Sequence, residues 1–199
     1  MTNSDGIIFN PDGSLKVRLR PISSDPRWYI CQGNLHNGIS FARQIVASFQ
    51  HQEVKAWRHP VGKRYPNTVS VDLDGVRLAL LTKWWTRTKN HDEAFYLTRE
   101  FYESRRRGRY PDQITALTTY SRSSGAVPFL VAGLEMPDRC AVFVPFAVVE
   151  TLAKFESKIG IGVFDGFPKY RQLADGSYDL DIAELRKLIR NLQDQEVTS

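Results

Sequence analysis

Two short runs, "AVPFLVAGL" from Ala126 to Leu134 and "CAVFVPF" from Cys140 to Phe146, are almost wholly apolar. A strand with one face in water alternates polar and apolar residues, because successive side chains point to opposite faces. A strand that does not alternate has to be covered on both faces. Two such strands call for a central sheet with helices on either side, which excludes a plain helical bundle or a one-sided antiparallel sheet. Helical cover is at hand. "NGISFARQIVASFQ" places Ile39, Phe41, Ile45, Val46 and Phe49 at close to helical spacing behind a candidate cap, Ser40. "PDQITALTTYSRSSG" starts with Pro111 in its first turn and stops at Gly125. "AVVETLAKFESK" and "DIAELRKLIRNLQ" are two further helices, and "HDEAFYLTREFYESRRRG" predicts another that ends at Gly108.

"YPNTVSVDLDGVRLALLTKWW", Tyr65 to Trp85, alternates on both sides of Asp74-Gly75 and predicts a hairpin in which Val69 and Val71 face Leu78 and Leu80. "EVKAW" is a short strand before it. Residues 1–35 form an N-terminal extension whose "GIIFNPDGSLKVRL" is a second hairpin, turning at Pro11-Asp12-Gly13, and residues 36–199 form the main domain. The order is helix, three strands, helices, two strands, helix: an α/β domain with a mixed central sheet flanked by helices.

The 199 residues carry a net charge of +5. The basic residues gather around the hairpin: Arg58, His59, Lys63 and Arg64 before it, Lys83, Arg87, Lys89 and His91 after it, and Arg105, Arg106, Arg107 and Arg109 further on. Acidic residues collect in "DGSYDLDIAEL" and "DQEVTS". This asymmetry points to a polyanionic partner, and the rings among the basic residues, Trp84 and Tyr110 included, are of the kind that stack on bases or pack beneath a backbone. No apolar run approaches the roughly 20 residues of a membrane span, and the first ten residues do not read as a signal peptide. Cys31 and Cys140 are too far apart in sequence for a metal knuckle; they read as buried thiols of a cytoplasmic protein. His36, His51, His59 and His91 form no metal pair at helical spacing, "GIGVFDG" lacks the pattern of a nucleotide loop, and there is no Gly-X-Ser-X-Gly elbow.

From Gly38 to Leu152 the wording resembles the PD-(D/E)XK nuclease superfamily and, within it, the Holliday-junction resolvases. The resemblance is clearest in "DQITALTTYSRSSGAVPFLVAGLEMPDRCAVFVPF", where a Gln-bearing helix leads through a Ser/Gly turn to a buried strand and then to a strand ending in Phe-hydrophobic-Pro. "ISFARQIVASFQHQEVKAWRHPVG" is similar to the opening helix and first strand of those enzymes. The resemblance implies a restriction-endonuclease-like fold, DNA (duplex or branched) as partner, and a homodimer.

It also implies a site, and here the chain departs from the pattern. Phosphodiester hydrolysis in this superfamily uses one or two divalent cations. Hard ions such as Mg²⁺ require oxygen ligands, supplied by an Asp and a Glu, with a Lys two residues after the Glu. Residues near 67 lie opposite residues near 82, so the Asp position falls at Asn67 and the Glu-X-Lys position on Leu81-Thr82-Lys83; Thr68 and Thr82 are one residue away. Lys83 is present and both acids are missing. The helix position that often holds a third acid falls at Ala42 or Gln44. Gln113 matches the family's helical Gln and is a candidate to orient water or phosphate.

Carboxylates that could have moved are Asp72 and Asp74, which otherwise read as turn residues, and Glu53, in an isolated Glu-X-Lys with Lys55. Asp92 and Glu93 read equally well as a helix start. The expectation is a DNA-binding protein on a resolvase-like nuclease fold, its active site degenerate and its cleavage reduced or absent, with Lys83, Gln113 and Asn67 at the catalytic positions. Arg58, Lys63, Arg64, Arg87, Lys89, Arg105, Arg106 and Arg107 would meet phosphates, and no cofactor is expected. The alternatives are an active Mg²⁺-dependent endonuclease built on Asp72, Asp74 or Glu53, and a protein-interaction subunit whose acidic C-terminal helix docks a partner.

Overall fold

A computed structural model describes residues 7–9, 15–18, 40–59, 68–84, 94–96, 113–134, 139–156 and 158–197. The chain divides into two compact units, Met1–Leu35 and His36–Ser199. In the first, β1 (Ile7–Phe9) pairs antiparallel with β2 (Leu15–Arg18), the hairpin anticipated around Pro11-Asp12-Gly13.

The second unit is built on a six-stranded mixed sheet. Its strands are β3 (Lys55–Arg58), β4 (Thr68–Leu73), β5 (Val76–Trp84), β7 (Val127–Leu134), β8 (Cys140–Pro145) and β10 (Lys169–Arg171), in the order β10-β8-β7-β5-β4-β3. One junction, β5 with β7, is parallel; the others are antiparallel. A parallel neighbour requires a crossover, and α2 (Gln113–Ser124) lies within it. The remaining helices are α1 (residues 40–51), α3 (Phe146–Phe155) and α4 (Ile182–Val197). This is the α/β class with helices on both faces of a mixed sheet.

Alternation along the central strands sorts their side chains into two cores. Leu78 and Leu80 of β5, Phe129 and Val131 of β7, and Ala141 and Phe143 of β8 pack with Phe41, Ile45 and Phe49 of α1 and Leu185 and Ile189 of α4. Ala79 and Leu81, Leu130 and Ala132, and Val142 and Val144 pack with Leu117 of α2 and Phe146 and Val149 of α3. The absence of polar residues in the two apolar runs thus has its physical cause: each successive residue enters one core or the other.

Two segments depart from the expected elements. The predicted helix after the hairpin begins instead with β6 (Ala94–Tyr96), which pairs with β9 (Lys158–Gly160) in a separate two-stranded sheet; the rest of that segment lies outside the described residues. "GIGVFDG" is largely a 3-10 helix, Ile161–Gly166, leading into the edge strand β10. A three-residue strand whose partner is some sixty positions away leaves no local periodicity to read.

At the end of β5 the indole of Trp84 is half-buried. Its ring lies 5.3 Å from that of Phe41, with the Arg139 guanidinium 6.0 Å from its centroid. Gly133, paired with Trp84 across the parallel ladder, makes room for this ring: a β-carbon there would overlap both the indole and Phe41. Replacing Gly133 by Ala is therefore expected to cost about 1–3 kcal/mol, as overpacking does. A chemical-denaturation curve followed by tryptophan emission checks this, and an unchanged midpoint would contradict the packing described.

Candidate functional site

Asp74 and Gly75 both have positive φ, +54° and +83°, the signature of a two-residue hairpin turn whose twist matches its strands. The turn sets the register: Leu73 pairs with Val76, Val71 with Leu78, Val69 with Leu80, and Thr68 with Leu81. Val69 and Val71 thus face Leu80 and Leu78, as alternation predicted. Residues directly opposite share a face, so Thr68, Ser70, Ala79 and Leu81 point toward α2, and Lys83 follows Leu81 on that side.

Asn67 lies outside the described residues. Of the two positions one residue away, Thr68 stands opposite Leu81, whereas Thr82 belongs to the other face. Thr68 and Leu81 are both buried, at 1% and 0% exposure, and Lys83 is half-buried beyond them. At the positions that the sequence resemblance assigns to a carboxylate pair, to within one residue, Thr68 and Leu81 present a hydroxyl and an isobutyl group. Those residues do not fit Mg²⁺. Among the described residues, no group of three His, Cys, Asp or Glu is placed to hold a metal ion.

The candidate carboxylates stand elsewhere. Asp72 is exposed, opposite Arg77 on one side and Lys55 on the other. Arg77 precedes Lys83 by six residues of extended strand, roughly 20 Å, too far for Asp72 and Lys83 to share an ion. Asp74 is held by Arg186 of α4, whose Nε donates to Oδ2 at 2.5 Å and Nη2 to Oδ1 at 3.2 Å; this pairing keeps the carboxyl below its ordinary range. Glu53 is a helix stop. Its N–H donates to Gln50 O and that of Val54 to Phe49 O, both at 3.0 Å, and its own φ is +59°. That is the paired-bond, left-handed termination usually built on glycine.

On α1, Ala42 is fully buried in the core and Gln44 half-buried. Gln113 opens α2. The last turn of α2, at Ser124 and Gly125, lines a polar cleft of about 260 Å³ with Asp72 and Arg77, so its first turn, roughly 18 Å away, lies toward the Lys83 end of the sheet. There Gln113 Oε1 is buried with no hydrogen-bond partner among the described residues. Arg58 is half-buried on β3; Lys63, Arg64, Arg87, Lys89, Arg105, Arg106, Arg107 and Tyr110 lie outside the described residues.

The C-terminal helix is not the acidic element its flanks suggested. Asp181 caps it, accepting from the Glu184 N–H at 3.0 Å, and Tyr170 donates its hydroxyl hydrogen to Glu184 at 3.0 Å, while Arg186, Lys187 and Arg190 occupy the middle.

One group of residues was read only as part of the basic flank or not at all. His59, just beyond β3, places Nε2 2.7 Å from Ser70 Oγ, and Ser70 Oγ lies 3.2 Å from the Tyr120 hydroxyl of α2. The His59 ring sits 5.6 Å from that of Tyr120 and 6.3 Å from that of Trp57. Ser70 is fully buried. The available signal was a serine between Val69 and Val71, a polar residue on a strand position that has to face a core. Burial lowers the His59 pKa below its ordinary 6.5.

No protein family matches the chain, and no curated protein matches it. Among solved structures the chain is similar to Hjc of Archaeoglobus fulgidus, a Holliday junction resolvase from an archaeal hyperthermophile. The identity is 18%, over 67% of this chain and 91% of that one, with a TM-score of 0.48.

A histidine with a lowered folded-state pKa is neutral in the fold where the unfolded chain would already bind a proton. Its contribution to stability is present above about pH 6.5 and is lost as pH falls toward the folded value. The melting temperature is expected to hold above that point and fall below it, with His59→Gln showing a smaller acid loss. Parallel melting curves across that range test this; an identical acid loss in the variant would contradict it.

Proposed function

We propose that this chain binds DNA, duplex or branched, on a resolvase-like nuclease fold, and that it does not cleave DNA with a divalent metal. The observation that carries the reading is the buried Thr68–Leu81 pair on the face of Lys83. On this reading Lys83 stands for the superfamily's lysine, and a buried hydroxyl and an isobutyl group stand where its carboxylate pair would be needed. The sequence resemblance supports the scaffold, because its clearest stretch supplies α2, β7 and β8, the elements beside β5. The charge distribution supports the partner: Arg58, Lys63, Arg64, Arg87, Lys89 and Arg105 to Arg107 act on phosphates, while the acids of α4 serve the fold. By the same resemblance the protein works as a homodimer.

Binding that neutralises four to six phosphates loses affinity as about the fourth to fifth power of salt concentration. Titration of a fluorescent duplex and a four-way junction between about 50 and 200 mM salt reads this slope, and neutralising Arg105, Arg106 and Arg107 together is expected to flatten it. A flat wild-type profile, or no binding at low salt, would overturn the DNA reading.

In the same samples Mg²⁺ or Mn²⁺ is expected to give no cleavage and no rise in melting temperature. The double variant Thr68→Asp, Leu81→Glu places two charges in a buried site and is expected to melt lower, then to recover in part with Mg²⁺. Asn67→Asp with Leu81→Glu tests the neighbouring register. Metal-dependent cleavage by the wild type that disappears in Asp72→Ala or Glu53→Ala would establish the relocated-carboxylate enzyme instead.

A further inference from the structure

Among the described hydrogen bonds, Ser70 has one hydroxyl hydrogen and two polar neighbours, His59 Nε2 and the Tyr120 hydroxyl, and this chain of contacts can run in two directions. With neutral His59 protonated on Nδ1, Tyr120 donates to Ser70 and Ser70 donates to Nε2. With the imidazolium, Nε2–H donates to Ser70 and Ser70 donates to Tyr120. Both hydrogen bonds persist in both states; only their direction reverses. A backbone carbonyl in place of Ser70 would serve only one of them. The chain therefore holds the ring in one orientation while letting its charge change, which a purely structural histidine does not require.

The relay is also well placed. His59 N donates to Thr68 O at 3.0 Å, and Thr68 pairs with Leu81, so His59 and Lys83 stand on the same sheet face, two strands apart and two residues along. Strand spacing puts their α-carbons roughly 12 Å apart, a span that one phosphodiester between two long side chains can bridge. Among the described residues the groups on this face near the ring are, from β3, Trp57 and, behind it, Lys55; from β4, Ser70 and, further along, Asp72; and from α2, Tyr120, with Arg58 next in sequence but on the opposite face.

We propose that His59, oriented by Ser70 and Tyr120, is a phosphate-contacting residue that takes up a proton when DNA binds. This rests on the DNA reading above and names how the former metal site meets the backbone: a protonated imidazole and Lys83 supply the positive charge that an ion would have brought. Because burial disfavours the charged ring, the free protein holds it neutral near pH 7, and the phosphate is what stabilises the imidazolium.

The test is a pH series of DNA affinity for the full chain at fixed salt, with the same duplex and four-way junction as probes. The wild type is expected to bind roughly tenfold tighter at about pH 5.5 than at about pH 8, the size of one charge-assisted contact. His59→Gln is expected to bind at both pH values with the alkaline affinity of the wild type. Tyr120→Phe removes the acceptor needed only in the charged state, so the midpoint of its pH profile is expected at lower pH while its alkaline affinity is kept. That shift separates orientation of the ring from a general effect on folding. An identical pH response in His59→Gln would overturn this inference and leave the DNA reading standing. Absence of wild-type binding at low salt at either pH would overturn both.

Discussion

The parallel ladder between β5 and β7, from Leu78 opposite Val127 to Trp84 opposite Gly133, is where the two cores meet. Its residues alternate between them, and from Leu78 to Leu81 and from Leu130 to Ala132 none is exposed. Such a ladder gains nothing from water on either side, so it is stable only when α1 and α4 close one face and α2 and α3 the other. Lys83 and Trp84 are the last residues of β5, pointing to opposite faces, and Gly133 exists there as the space that Trp84 needs.

The same ladder explains why an apolar residue suits position 81. Leu81 is part of the core that Leu117, Leu130 and Phe146 complete. A carboxylate at that position must be desolvated, and without an ion to offset it the penalty would fall on the fold. Leucine contributes apolar burial instead. Packing alone therefore holds this part of β5, with Lys83 following Leu81 at the end of the strand. Two of the acids that stand elsewhere have local work. Asp74 pairs with Arg186 at the turn, and Glu53 occupies the left-handed end of α1.

Much of this was legible because it is local. Asp74-Gly75 between two alternating runs fixes both a turn and a register, and the register alone decides which residues share the face of Lys83. The two apolar runs required cover on both sides, and Gly125, with φ +64°, ends α2 where a glycine stop was expected. What escaped was non-local or had no periodicity. β6 is three residues that become a strand only by pairing with β9, and β10 joins the sheet edge after a 3-10 turn. The phase of the site was legible only to within one residue, and one residue is the difference between Thr82's face and Leu81's.

His59 shows the other limit. In the sequence it is one cation among "RHPVGKR", with nothing to separate it from Arg58 or Lys63. Its distinction comes from Ser70, eleven residues on, and Tyr120, sixty-one residues on, which meet it only because β4 runs back beside β3 and α2 crosses above. A buried serine on an apolar sheet face costs desolvation unless its hydrogen and at least one lone pair are used. Here they are used by two groups whose hydrogens can be exchanged end to end. That the only hydroxyl chain linking β4 to α2 among the described hydrogen bonds also reaches a titratable ring beside Lys83 gives the apolar face one place where charge can change without breaking the packing around it.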